Sequence, residues 1–208
     1  PCVAPVGRGG GSVSPPLPAV RPAGLGASPP AAVASVTVEG VTYLAVAGQG
    51  SGSVSLYQLT AMGGLTRVDH VLDDAAQTRF DDVHILESAE AGGRSYLVAA
   101  GSEQGFTLFE VLPGGRLLHR ASFGDTIETA VGAVSAIALH AVGDALQIFA
   151  TSANDARVSQ FLYDPGPLGQ TREGTSSAEV LNGTAGADVL AGGGGDDTLM
   201  GGAVAVVL

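Results

Sequence analysis

Toward the C-terminus, glycine and acidic residues return at a fixed spacing. Gly183, Gly186 and Asp188 stand at the first, fourth and sixth places of a nine-residue unit, 183–191. Gly192, Gly195 and Asp197 hold the same places in the next unit, 192–200, with Gly193, Gly194 and Asp196 between them. A weaker unit, 174–182, keeps Gly174 first and Glu179 sixth, and Leu181, Leu190 and Leu199 recur at the eighth place. Asp and Glu supply hard anionic oxygens, and glycine lets main-chain carbonyls turn inward without side-chain clashes. A hard cation taking about six to eight oxygens from flexible turns, such as Ca2+, suits that donor set. The candidate ligand-bearing positions are Gly183, Gly186, Asp188, Gly192, Gly194, Gly195, Asp196, Asp197 and Glu179.

Both full units fit G-G-x-G-x-D-x-U-x, where U is a large apolar residue, apart from Thr184 at a second place. This resembles the nonapeptide of the RTX family, the haemolysin-type calcium-binding repeats. The resemblance implies a parallel β-roll in which six residues turn, three form a strand, and two repeats complete one coil. A Ca2+ ion then bridges turns two repeats apart. Asp197 would share an ion with the turn 174–179. Asp188 would need the turn after Gly201, where Val204 stands for glycine and Val206 for aspartate, so one site is expected. Without calcium, the acidic turns repel and glycine entropy opposes order; with it, binding free energy becomes folding free energy. The resemblance further implies export by type I secretion, with an ABC transporter as partner, an uncleaved signal beyond Leu208 and an extracellular location.

The rest of the composition excludes several alternatives. Net charge is -11, and every one of the nine basic residues is arginine. Such a chain is a poor match for nucleic acid, whose binding rests on neutralising phosphates. Cys2 is the single cysteine, so neither an intrachain disulfide nor a cysteine-based metal site is possible. No apolar run reaches the roughly 18 residues of a membrane span. The first residues lack the apolar core of a secretory signal, and the start at Pro1 is expected of a processed chain or a piece of a longer one.

The units that position the repeats divide by composition. Residues 1–32 hold eight of the eleven prolines and read as a disordered or extended segment. Residues 33–164 show short alternating apolar runs broken by Gly and Asp, the signature of an all-β region. Tyr43-Leu44-Ala45-Val46-Ala47-Gly48 returns as Tyr96-Leu97-Val98-Ala99-Ala100-Gly101, and more weakly from Gln147 to Ser152. Each copy is expected to have a strand before it and another after it. Gly63-Gly64 and Gly114-Gly115 then turn into a fourth strand in the first two copies. Four antiparallel strands per ~50 residues resemble the blades of lactonase-like and quinoprotein-like β-propellers. The expected fold is therefore all-β: a partial β-propeller of about three blade-like four-stranded units, followed by a short parallel β-roll. The third unit halts after its third strand, which is expected of the last blade of a larger propeller with further units upstream. Residues 165–173 read as a linker and 174–208 as the calcium-binding repeats.

No catalytic constellation is legible in the β region. His70, His84, His119 and His140 are scattered without metal-ligand spacing. Asp73-Asp74 and Asp81-Asp82 fall at strand ends, where aspartate makes turns. The Ser/Gly stretch near residues 49–55 has neither a nucleophile-elbow context nor a following helix. Calcium binding coupled to secretion and folding is the leading function. A propeller-borne enzyme of lactonase or hydrolase type, with the roll as its secretion module, and an extracellular adhesion or ligand-binding module remain as alternatives.

Overall fold

The computed structural model describes residues 29–186 and 188–202. The expected Pro/Gly-rich segment falls outside the described residues as far as residue 28, as do Val204 and Val206.

The strand rhythm of the sequence becomes three antiparallel sheets. The first contains β1 (Pro30–Val38), β2 (Val41–Gly48), β3 (Ser53–Leu59) and β4 (Leu65–Leu72) in that spatial order. The second repeats the meander with β5 (Ile85–Ala91), β6 (Arg94–Ala100), β7 (Gly105–Leu112) and β8 (Arg116–Gly124). The third has three strands, β9 (Val134–Val142), β10 (Ala145–Ser152) and β11 (Asp155–Tyr163). The repeat extends to irregularities: the ladder slips between Leu56 and Tyr57 in β3 and between Leu108 and Phe109 in β7, 52 residues later. The expected first strand at residue 33 begins at Pro30, and its pairing with β2 is irregular between Pro30 and Ala32.

Strand alternation decides how the sheets stack. Side chains two apart share a face, so Tyr43, Ala45 and Ala47 of β2 pack with Leu97, Ala99 and Phe109 of the second sheet. The repeat-equivalent Tyr96, Val98 and Ala100 lie on the opposite face of the second sheet and pack with Leu146, Ile148 and Ala150 of the third. Each sheet thus offers the same face to the next. On the third sheet that face carries Phe149 and Thr151, with Val158 and Leu162 exposed at 65% and 63%. The first strands lie side by side, β1 against β5 and β5 against β9, so the sheets fan out blade-like from one edge.

The chain then changes architecture. β12 (Thr171–Glu173), β13 (Val180–Asn182), β14 (Val189–Ala191) and β15 (Thr198–Met200) are three-residue strands at nine-residue spacing. β12 pairs with β14 and β13 with β15, both parallel, with each residue opposite the one 18 positions later. Two repeats therefore make one coil, and Leu181 lies opposite Leu199. The segment read as a linker, 165–173, ends in β12. Its strand obeys the 18-residue register, but Gln170 replaces the acid and Arg172 the apolar residue, so the motif is absent where the backbone path persists.

Candidate metal centre

The roll brings the Gly/Asp turns into stacks. Turn 192–197 lies on turn 174–179: the Gly194 amide donates to the Thr175 carbonyl at 2.8 Å, and the Thr198 amide to the Glu179 carbonyl at 2.8 Å. Gly186 and Asp188 lie against residues 168–170, where Gly186 approaches the Leu168 and Gly169 backbone and the Gln170 amide donates to Asp188 Oδ1. These contacts need glycine. Gly193 has φ of +84°, and a Cβ there would overlap the Thr175 carbonyl; one at Gly186 would overlap the backbone of Leu168 and Gly169.

The sixth-place acids differ in what they already hold. Asp188 is 2% exposed. Its Oδ1 accepts the Gln170 amide at 2.7 Å and the Thr184 hydroxyl at 2.9 Å, and its Oδ2 accepts the Thr184 amide at 2.7 Å. The Gln170 amide first, then Thr184, holds its carboxyl below the usual carboxylate range, against the opposing effect of burial. Glu179 is treated similarly inside its own turn: Oε2 accepts the Thr175 amide at 2.6 Å and Oε1 the Thr175 hydroxyl at 2.8 Å, which lowers its pKa. Asp197 has a lighter load among the described residues: its Oδ1 accepts the Glu179 amide at 3.0 Å. Asp196 is exposed.

The difference traces to the second place of each unit. Thr175 and Thr184 stand where the pattern has glycine, each four residues before its acid, and each presents an amide and a hydroxyl to it. Gly193 has no hydroxyl to offer Asp197. This threonine–acid pairing was missed in reading the sequence, although Thr at the second place with an acid at the sixth was its visible signal. First-place glycine makes room for the carboxylate: a Cβ on Gly192 would lie 2.6 Å from Asp197 Oδ2.

The donor set fits a calcium ion. It consists of carboxylate and main-chain carbonyl oxygens, and the Asp197 carboxylate fills the space a side chain at Gly192 would take. No three His, Cys, Asp or Glu side chains converge among the described residues, so a cation here relies on main-chain carbonyls as well. In the β region, several of the Asp and His residues noted in the sequence are engaged in hydrogen bonds. Asp73 Oδ1 accepts the Phe80 amide at 3.0 Å and the Thr78 hydroxyl at 2.7 Å. Asp74 Oδ1 accepts the Ala76 amide at 3.0 Å, and Asp82 Oδ2 accepts the Ser102 hydroxyl at 2.7 Å. His70 pairs with Ser55 at 2.9 Å and His119 with Ser122 at 3.0 Å, in different sheets.

Residues 173–205 match the family described as RTX calcium-binding nonapeptide repeat (4 copies). This part of the chain is a calcium-binding RTX repeat segment, and its cofactor is Ca2+. No curated protein matches the chain.

Proposed function

We propose that calcium is held chiefly by the stacked turns 174–179 and 192–197. Asp197 and Asp196 supply carboxylate oxygens, Glu179 lies on the facing turn, and Gly192, Gly194 and Gly195 shape the carbonyl path. The observation that carries this reading is the contrast between Asp197, beside glycine at 193, and Asp188, whose oxygens already take three donors from Gln170 and Thr184. The turn bearing Gly183, Gly186 and Asp188 is the weaker second position, because a cation there must displace those hydrogen bonds. When bound, calcium supplies positive charge that offsets repulsion among the turn carboxylates. The chain's own residues set the coil register and the space beside each acid.

In this reading the protein is exported by a type I apparatus and its roll gains order in the calcium-rich exterior. The matched repeats support export, and the fan of sheets supports the final blades of a propeller preceding the roll. The exposed face of Val158 and Leu162, repeat-equivalent to faces covered on the first two sheets, is suited to a further sheet of the same kind. Calorimetric titration of the whole chain with Ca2+ tests the site. The expected result is a tighter binding step that is lost in Asp196→Asn/Asp197→Asn and retained in Asp188→Asn. A tighter step that survives loss of both Asp196 and Asp197 would refute the assignment.

A further inference from the structure

Arg94 opens β6 and is buried, its side chain 7% exposed. Its two terminal nitrogens leave the sheet altogether. Nη1 donates to the Gly166 carbonyl at 2.9 Å and Nη2 to the Pro167 carbonyl at 3.0 Å. Those carbonyls lie on the segment that leads into β12, the first strand of the roll. A buried guanidinium that loses its acceptors bears a large desolvation penalty, and Glu110, 3.9 Å from Nε, is itself bound to Arg120, with Nε of Arg120 at 2.7 Å. The two carbonyls are therefore needed partners for Arg94.

The same corner is tight on every side. The Gly92-Gly93 turn has φ of +57° and +71°; a Cβ on Gly92 would meet Asp144 of the third sheet at 3.0 Å, and one on Gly93 would meet Leu168 at 3.1 Å. Ser95, next to Arg94, donates to the Thr37 carbonyl of the first sheet at 2.6 Å. One strand end thus touches two neighbouring sheets and the roll. From Pro167 the path to the candidate metal turns is short: Leu168 and Gly169 lie under Gly186, and the Gln170 amide binds Asp188.

We infer that Arg94 is a latch that couples order in the calcium-binding roll to the second sheet. Anything that tightens the coil stack fixes residues 166–170, and Arg94 passes that restraint to β6 and the sheets it joins. This inference rests on the calcium reading for its physiological trigger, while the coupling itself lies in the contacts just described.

The test is amide hydrogen exchange on the whole chain with and without Ca2+, comparing wild type with Arg94→Gln. In wild type, Ca2+ is expected to slow exchange in the roll and also at the Gly92–Ser95 amides, the latter by roughly fivefold or more, the lower end of ordinary coupling between sites. In Arg94→Gln the roll should still respond and the 92–95 amides should not. Equal protection of 92–95 in both proteins would overturn the latch. If wild type shows no response to Ca2+ anywhere, the calcium reading fails, and the latch is read from Asp188→Ala, which frees the Gln170 amide. Faster exchange at 92–95 from Asp188→Ala in the wild-type background, but not on top of Arg94→Gln, supports the latch; the same effect in both backgrounds, or none in either, overturns it. Arg94→Lys, which keeps the charge without the paired donors, should behave as Arg94→Gln; full coupling in that variant would show that charge alone suffices and would overturn the two-carbonyl latch.

Discussion

Asp188 Oδ1 accepts the backbone amide of Gln170 at 2.7 Å across 18 residues, one full coil of the roll. This bond joins a turn with the family motif to a segment without it. Asp197 makes the equivalent bond to the Glu179 amide, so what leaves the two acids in unequal positions as cation ligands is Thr184, whose amide and hydroxyl also bind Asp188.

That inequality sets the first expectation. Asp197→Asn should weaken calcium affinity on the order of tenfold, because the charge and number of oxygen ligands tune such sites over decades. Asp188→Asn should lower the melting temperature more than it lowers affinity. Paired calorimetric titrations and thermal melts of the two variants separate these effects; equal losses of affinity would count against the assignment.

Glycines in the same motif should not be equivalent. Gly186→Ala drives a Cβ into the Leu168–Gly169 backbone and should cost about 1–3 kcal/mol as overpacking. Gly194→Ala meets Ser176 Cα at 3.6 Å, an ordinary contact, and should be nearly neutral. Denaturant melts monitored at the roll would show the contrast.

Acid should loosen the roll. Asp188 and Glu179 have folded-state pKa values below their ordinary ones, held there by amide donors from Gln170, Thr184 and Thr175. The unfolded chain then binds protons first, so this stability is present above the ordinary carboxylate range, about pH 4, and is lost as pH falls through the folded values. Protection of the 170–184 amides relative to their intrinsic exchange rate should fall as pH is lowered from neutral, and Asp188→Asn should flatten part of the dependence.

Alkali should act on the sheets instead. Burial pushes the Tyr96 phenol up to about 12, partly opposed by Arg94. Its folded pKa exceeds the unfolded value of about 10, so its contribution is intact below that value and is lost as pH rises toward the folded one. Tyr96→Phe should remove this component from the alkaline melting curve; an unchanged curve would show that another group governs it.

Much of the architecture was legible because period is a backbone property that the sequence records. The fourth strands expected after Gly63-Gly64 and Gly114-Gly115 are β4 and β8, and Tyr43 and Tyr96 hold the third place of β2 and β6, since alternation over a buried face forces apolar residues to every second place. The nine-residue spacing of Leu181, Leu190 and Leu199 likewise marks the repeat length, half of the 18-residue coil. The pairing of Thr171–Glu173 was illegible because parallel pairing uses amides and carbonyls, which every residue type except proline supplies in full. Thr171–Glu173 needs no glycine or aspartate to lie beside Val189–Ala191.

The sequence by itself determined the all-β class, the repeat of meander sheets and the RTX character of the tail, because side-chain periodicity and glycine placement are written residue by residue. Tertiary structure alone decided which main-chain amide each acid meets one coil away and what the roll leans on. The Gln170 amide reaching Asp188, and Arg94 reaching the Gly166 and Pro167 carbonyls, both join a side chain to main-chain groups far along the chain. Main-chain groups carry no residue identity, so such partners exist only once the fold brings them within hydrogen-bond reach.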